Sequence, residues 1–262
     1  MINKNASNHF SQLITDLQHT ITTVREFEQL KETIIDLLAR GLIDTSTEQA
    51  LYREFNRLMT PISNDLIRQT TNTYNDLIQA TNYYYRDLAD DLGRNHVKIR
   101  AIERVNAARI GAFSKRTSRR IAKVIRHGLI KGVSAQEMGR LLANKTTISA
   151  DIAKTLGNTQ VAGYGNACKM TKATIGGVFI FEYAGFKRST TRDFCLPMIG
   201  FLFHIDDLKK MRNGQIEPVI TYCGGFNCHH HPEPDPDAKA PSPGQWHHFM
   251  VGHRSLSHII PL

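Results

Sequence analysis

A single change of rhythm organises this chain. From Phe10 to Met170 apolar residues recur at i, i+3, i+4 and i+7, the spacing of one helix face, and past Gly176-Gly177 that spacing stops. Phe10, Leu13, Ile14, Leu17, Ile21 and Val24 form one stripe, continued by Leu30, Ile34, Leu37 and Leu38, with Gly41 as the expected stop. Asp44 to Thr47 supply N-cap candidates for a helix bearing Leu51, Phe55 and Leu58. Pro61 is expected near the start of the next helix, which carries Leu66, Tyr74, Leu77 and Ile78. Tyr83, Tyr84 and Tyr85 read as core with their hydroxyls at its edge. Val97, Ile102, Val105, Ile110 and Phe113 predict a long helix, and Ile121, Val124, Ile125 and Leu129 a second, with Gly111 and Ser114 loosening the junction. Ser134-Ala135-Gln136-Glu137 is a capping box that opens a short helix with Met138, Leu141 and Leu142. Ser149 is expected to cap another helix running to about Met170. Gly157, Gly163 and Gly165 weaken that helix unless a second backbone packs closely there.

After the glycine pair the pattern is β-branched and aromatic. Val178–Tyr183 predicts one strand and Ile199–Phe203 a second, followed by a helical turn over Ile205–Met211 and a turn at Asn213-Gly214. From Pro232 onward six prolines predict an extended, poorly self-packing tail. The expected fold class is therefore α+β: a mainly helical N-terminal region, a small α+β module with a short antiparallel sheet, and an extended C-terminal tail. The corresponding divisions are 1–145, 146–234 and 235–262.

Charge is unevenly placed. The chain carries a net +9, while Lys98 to Lys131 hold eleven Lys or Arg against one acid, Glu103, a local balance of +10. Such a segment attracts a polyanion. Arg109, Lys115, Arg116, Arg119, Arg120, Lys123 and Arg126 are the candidate nucleic-acid contacts. No sequence-reading motif accompanies them, so contact is expected at phosphates. The competing reading is a solvated helix face that meets acidic protein neighbours.

Soft ligands cluster further on. Cys195 is followed about thirty residues later by Tyr222-Cys223-Gly224-Gly225-Phe226-Asn227-Cys228-His229-His230-His231. Cys195, Cys223 and Cys228 with one histidine could form a tetrahedral Cys₃His zinc site. His229 adjoins Cys228 too closely to be an easy co-ligand, and His231 or His204 is sterically simpler. The alternative is three reduced, buried thiols. Four cysteines in 262 residues suit thiols or ligands better than a disulfide frame, and Cys168 reads as a small buried helix residue. No apolar run is long enough for a membrane span and no signal-peptide core is visible, so a protein made and kept in cytosol-like surroundings is expected. Seven histidines follow Cys228 and raise the alternative of a metal-dependent nuclease. They sit in a proline-rich stretch that cannot hold catalytic groups rigidly, and no HExxH, Walker or G-x-S-x-G pattern accompanies them. The expectation is a non-enzyme.

A further pattern runs through the second half: Asn158-Thr159-Gln160 and Asn166-Ala167, a strand ending Tyr183-Ala184-Gly185, and Thr191-Arg192-Asp193-Phe194-Cys195. It continues with Asn213-Gly214-Gln215 and then Cys223-Gly224-Gly225-Phe226-Asn227-Cys228-His229. In order and spacing this resembles the C-terminal module of phage head morphogenesis proteins, the Mu-F-like minor head (minor capsid) proteins, over roughly Ser149 to Pro234. Arg188 stands where the family usually has an aspartate, and His229 where it usually has an arginine. The resemblance implies a structural virion protein of a tailed bacteriophage, made in the host cytoplasm and placed in the head at the portal vertex. It implies portal or major capsid protein as partner, a symmetric multi-copy arrangement, and a part in head assembly or in packaging and retaining DNA. Double-stranded DNA would be met through phosphates, and no membrane is involved. A head-to-tail adaptor and an internal protein ejected with the genome remain alternatives within the same setting.

Overall fold

The computed structural model describes residues 4–19, 23–88, 92–93 and 96–238. Among the described residues five helices come first: α1 (Lys4–His19), α2 (Thr23–Ala39), α3 (Glu48–Tyr84), α4 (Val97–Ile130) and α5 (Ala135–Ile175). They are followed by β1 (Ile180–Ala184), β2 (Leu202–His204), α6 (Ile205–Lys210), α7 (Val219–Tyr222) and β3 (His231–Pro234). The fold is α+β, mainly helical with one three-stranded antiparallel sheet. None of the described helices is long and apolar enough to cross a membrane.

The helices are longer and fewer than the sequence predicts. Pro61 lies inside α3, not near the start of a separate helix. Its side chain is exposed, and it has no N–H to give to the helix's internal hydrogen-bond ladder. Thr47 caps α3 by accepting from the Ala50 N–H (3.0 Å). Gly111 and Ser114 do not divide the basic helix: α4 continues through both, and Ser118 turns its hydroxyl back to the Ser114 carbonyl (3.1 Å). Ser134 caps α5 through the Glu137 N–H (3.2 Å), and α5 then runs unbroken past Ser149. The 145/146 boundary drawn from the sequence thus falls inside a helix.

The chain forms two compact units. One comprises 19–72 and 103–158. Its interior is aliphatic and aromatic, with Ile34, Leu51, Phe55, Met59, Ile110 and Ile125 almost without exposed surface. Phe27 meets Phe113 edge-on at 6.0 Å between centroids. The other unit comprises 1–18, 73–102 and 159–262, so α3, α4 and α5 each contribute residues to both. In this second unit Phe10 of α1 packs edge-on against Tyr85 (5.7 Å), and Tyr74 of α3 stacks on Tyr164 of α5 (3.8 Å, 14°). Tyr85, alone of the tyrosine triplet, is fully inside, while Tyr83 is 68% exposed. Gly163 is required by a side chain rather than by a second backbone: a Cβ there would lie 2.3 Å from the Tyr222 ring.

The sheet order is β2-β1-β3. The first strand starts two residues later than its apolar run, and Ile199 to Phe201 belong to the turn before β2. Residues His231–Pro234, at the end of the expected module and without an expected strand, form the edge strand β3, with Tyr183 opposite Pro232 and Phe181 opposite Pro234. An edge strand tolerates proline because only one side of it must donate hydrogen bonds. The alternation places Pro232 and Pro234 on the buried side with Phe181, Tyr183 and Phe203, and it turns His231 and Glu233 to the opposite side. The remainder of the expected docking tail, 239–262, lies outside the described residues, as do His247, His248, His253 and His258.

Candidate functional site

Three elements bring sulfur and imidazole together in the second unit. Cys195 lies in the run of turns after Arg192, whose carbonyl accepts from the Cys195 N–H (2.9 Å). Cys228 ends the loop after α7, and His230 leads into β3. Cys195 Sγ lies 3.8 Å from Cys228 Sγ, and Cys228 Sγ lies 3.4 Å from His230 Nδ1. The three ligand atoms fall within 4.8 Å of one another. Tyr183 of β1 backs the group, with its hydroxyl 3.3 Å from Cys195 Sγ and its ring stacked on His230 at 5.6 Å. The Gly224 N–H donates to Cys228 Sγ (3.3 Å), and a Cβ on Gly224 would stand 2.2 Å from Cys195 Sγ.

The loop from Thr221 to Cys228 is held by side chains scattered widely in sequence. Asn166 Nδ2 donates to the Thr221 carbonyl (2.9 Å), and Thr159 Oγ1 accepts from the Asn227 N–H (2.8 Å). Asn213 Nδ2 donates to the Cys223 carbonyl (2.7 Å), and Gln215 Oε1 accepts from the Phe226 N–H (3.1 Å). The Arg192 guanidinium donates to the Phe226 carbonyl. These five belong to the separated motifs Asn158–Gln160, Asn166, Thr191–Cys195 and Asn213–Gln215. Their common task is to satisfy the backbone of a single loop, part of which runs with positive φ at Cys223 (47°) and Asn227 (53°).

Of the four expected zinc ligands, the structure brings Cys195 and Cys228 together. Cys223 is buried but lies outside the group of three. His231 points elsewhere, with Nε2 3.2 Å from Ser11 Oγ and 3.7 Å from Glu233 Oε2. His230 takes the imidazole position. The signal was present in the strand alternation, since 230 shares parity with the buried Pro232 and Pro234. His204 is engaged as the cap of α6, its Nδ1 accepting from the Asp206 N–H (3.2 Å).

Within this cluster the thiols are not equivalent. The hydrogen bond from Cys195 draws Cys228 far down toward the thiolate against the cost of burial, aided by His230 and the Gly224 N–H. The same bond and burial push Cys195 up. Burial first, then the Cys228 charge, raises Cys223. Burial and the neighbouring sulfurs raise the Tyr183 phenol. His231 is held well below its ordinary value by burial and by the Lys169 charge, and His229 is lowered by burial and by Arg188.

The opposite side of the sheet carries a buried ionic network that no sequence pattern announces. Lys169 of α5 has no exposed surface, and its Nζ donates to Glu233 Oε2 (2.7 Å). The Tyr85 hydroxyl donates to the same carboxylate (2.9 Å to Oε1), and the ammonium sits 5.0 Å from the Phe10 ring centroid. A cleft of about 860 Å³ opens beside it, lined by Ser11, Asn166, Arg188, His229, His231 and Glu233 among others. Ser11, His231 and Glu233 do not make a nucleophile relay, because serine and carboxylate meet the same ring nitrogen, Nε2. A general-base histidine needs one partner on each nitrogen.

The candidate cationic residues lie in the first unit, on α4. At about 100° per residue, Arg109, Lys115, Arg116, Arg119, Arg120, Lys123 and Arg126 fall within roughly 140° of the helix circumference. The buried Asn106, Ile110, Phe113, Thr117, Ile121 and Ile125 occupy the complementary sector. Lys115, Arg116, Arg119, Arg120 and Lys123 are exposed, and Arg109 and Arg126 half-buried. Arg119 lies over the Tyr52 ring (5.3 Å), and Arg126 donates to the Thr45 carbonyl (3.3 Å). Among the described residues no carboxylate neutralises Lys115, Arg116, Arg120 or Lys123.

No protein-family model, curated protein or solved structure matches this chain.

Proposed function

We propose that this protein is a structural, non-catalytic minor head protein of a tailed bacteriophage. It binds portal or major capsid protein at the portal–capsid junction in the symmetric copy number of that ring. It aids head assembly or the packaging and retention of DNA, which it touches without sequence preference. The observation that carries the reading is the sorting of α4 into a cationic sector and a buried sector. Five exposed cations spread over about 12 Å of helix concentrate charge that attracts a polyanion such as a phosphate backbone. No sequence-reading motif accompanies that face, so its contacts are expected at phosphates. The Mu-F-like motifs support the setting, and their polar residues serve to hold a loop in place rather than to perform chemistry.

The test is binding of the full-length protein to DNA duplexes of unrelated sequence across a salt series. Affinity is expected to be alike for all sequences and to fall with salt at a log–log slope of about −4 to −5, one counterion released per exposed cation. An Arg119→Glu/Arg120→Glu variant should lose most of that binding. Salt-indifferent binding, or a variant that binds as tightly as the parent, defeats the DNA reading. Capture of DNA-free portal protein that disappears in the same variant would make the face a protein-docking surface instead. Protein found outside purified heads, or absent from them, would overturn the assignment to the head.

A further inference from the structure

The geometry points to a zinc site built by Cys195 Sγ, Cys228 Sγ and His230 Nδ1, with water in the fourth position. This set replaces Cys223 and His231 of the spacing-based expectation, and it does not depend on the proposed function.

Distances carry the argument. A tetrahedral zinc with Zn–S bonds of about 2.3 Å places two ligand sulfurs about 3.8 Å apart, and a sulfur and an imidazole nitrogen about 3.6 Å apart. The protein holds Cys195 and Cys228 at 3.8 Å, and Cys228 and His230 at 3.4 Å. The sulfur separation is far from the 2.05 Å or so of a disulfide. The ligands are also prepared from behind. The Gly224 N–H and the Tyr183 hydroxyl each contact one sulfur, and the Tyr183 ring stacks on the imidazole, so neither thiol nor ring must be ordered when the ion arrives. His230 is 7% exposed and, among the described residues, its Nε2 has no hydrogen-bond partner, while its Nδ1 faces the sulfur of Cys228. Gly224 leaves room that any side chain would fill, since a Cβ there would press on both sulfurs. Cys228 is half-buried, which gives solvent access to the remaining coordination position. The ion would tie the Cys195 turn, the loop after α7 and the start of β3 to one centre.

The test uses the full chain, stripped by chelator and reloaded with Zn²⁺ or Co²⁺. The expected result is one zinc ion per chain. With cobalt, a thiolate charge-transfer band and the intense visible absorption of a tetrahedral centre should appear. Cys228→Ser and His230→Gln should each lower zinc affinity by more than the roughly 10–100-fold that loss of an outer partner costs. Cys223→Ser and His231→Gln should bind as the parent does. The cobalt spectrum is read on unmodified protein, so it decides the matter even where a variant misfolds. A weak octahedral spectrum, no uptake of zinc by folded protein, loss of zinc in Cys223→Ser equal to that in Cys228→Ser, or a Cys195–Cys228 disulfide in the isolated protein would each overturn the assignment.

Discussion

A lysine with no exposed surface requires an anion, and Lys169 has Glu233 at 2.7 Å. Breaking such a pair strands one charge, which costs more than the pair contributes. Lys169→Ala is therefore expected to lower stability by about 3–5 kcal/mol. Lys169→Met combined with Glu233→Gln, which removes both charges, should recover much of that loss. Chemical denaturation of the single and double variants checks this, and additive losses would mean the two groups do not act as a pair. Gly224 makes a second case, because an added methyl would stand 2.2 Å from Cys195 Sγ. Gly224→Ala should cost about 1–3 kcal/mol by overpacking, seen as a lower unfolding midpoint. An unchanged midpoint would show that the loop shifts freely. At this scale the sequence was half legible. Spacing marked Cys195 and Cys228 but missed His230, because the strand alternation that turns it inward depended on recognising His231–Pro234 as β3. Lys169 was invisible, since its anion lies 64 positions away and only the fold brings the two together.

Within α4 the two sectors make opposite predictions. Among the described residues Arg116, Arg120 and Lys123 touch no carboxylate, so alanine at each should alter stability by no more than about 0.5 kcal/mol while reducing the salt slope of DNA binding by about one apiece. Ile125, with no exposed surface, should cost about 2–5 kcal/mol on truncation to alanine. Thermal melts and salt-series titrations separate the two effects. Equal destabilisation in both sectors would contradict the division. Helix identity was legible here because apolar periodicity is a local property. Helix boundaries were not, since Pro61, Gly111 and Ser149 look like punctuation in isolation. Packing along α3, α4 and α5 overrides an intrinsic cost of a few kcal/mol or less per position. The small sheet showed the reverse. Aromatic β1 announced itself, whereas β3 was disguised by Pro232 and Pro234, whose missing donors are harmless only at an edge that sequence does not reveal.

The unit that holds the cysteine cluster is assembled from three stretches of chain, 1–18, 73–102 and 159–262. The sequence pattern drew attention to the last of these, because motifs are read along the chain while a core is closed in space. Phe10, Tyr74, Leu77 and Tyr85 all lie in the earlier stretches and are at most 2% exposed. Tyr164 would lose its stacking partner Tyr74, and the Lys169–Glu233 pair would lose the Tyr85 hydroxyl and the Phe10 ring. Each large buried side chain removed from such a core costs about 3–5 kcal/mol, and the sum for four, about 12–20 kcal/mol, matches or exceeds the roughly 5–15 kcal/mol that a typical domain has in total. A fragment starting at residue 146 should consequently fail to fold alone, although it contains every cysteine and every residue of the Mu-F-like pattern. It is expected to show no cooperative melt and poorly dispersed amide resonances, where the full-length protein gives both a melt and dispersion. A fragment that melts cooperatively and retains a tetrahedral cobalt spectrum would establish the reverse, that the loop-holding side chains and the sheet suffice and the N-terminal helices are accessory to them.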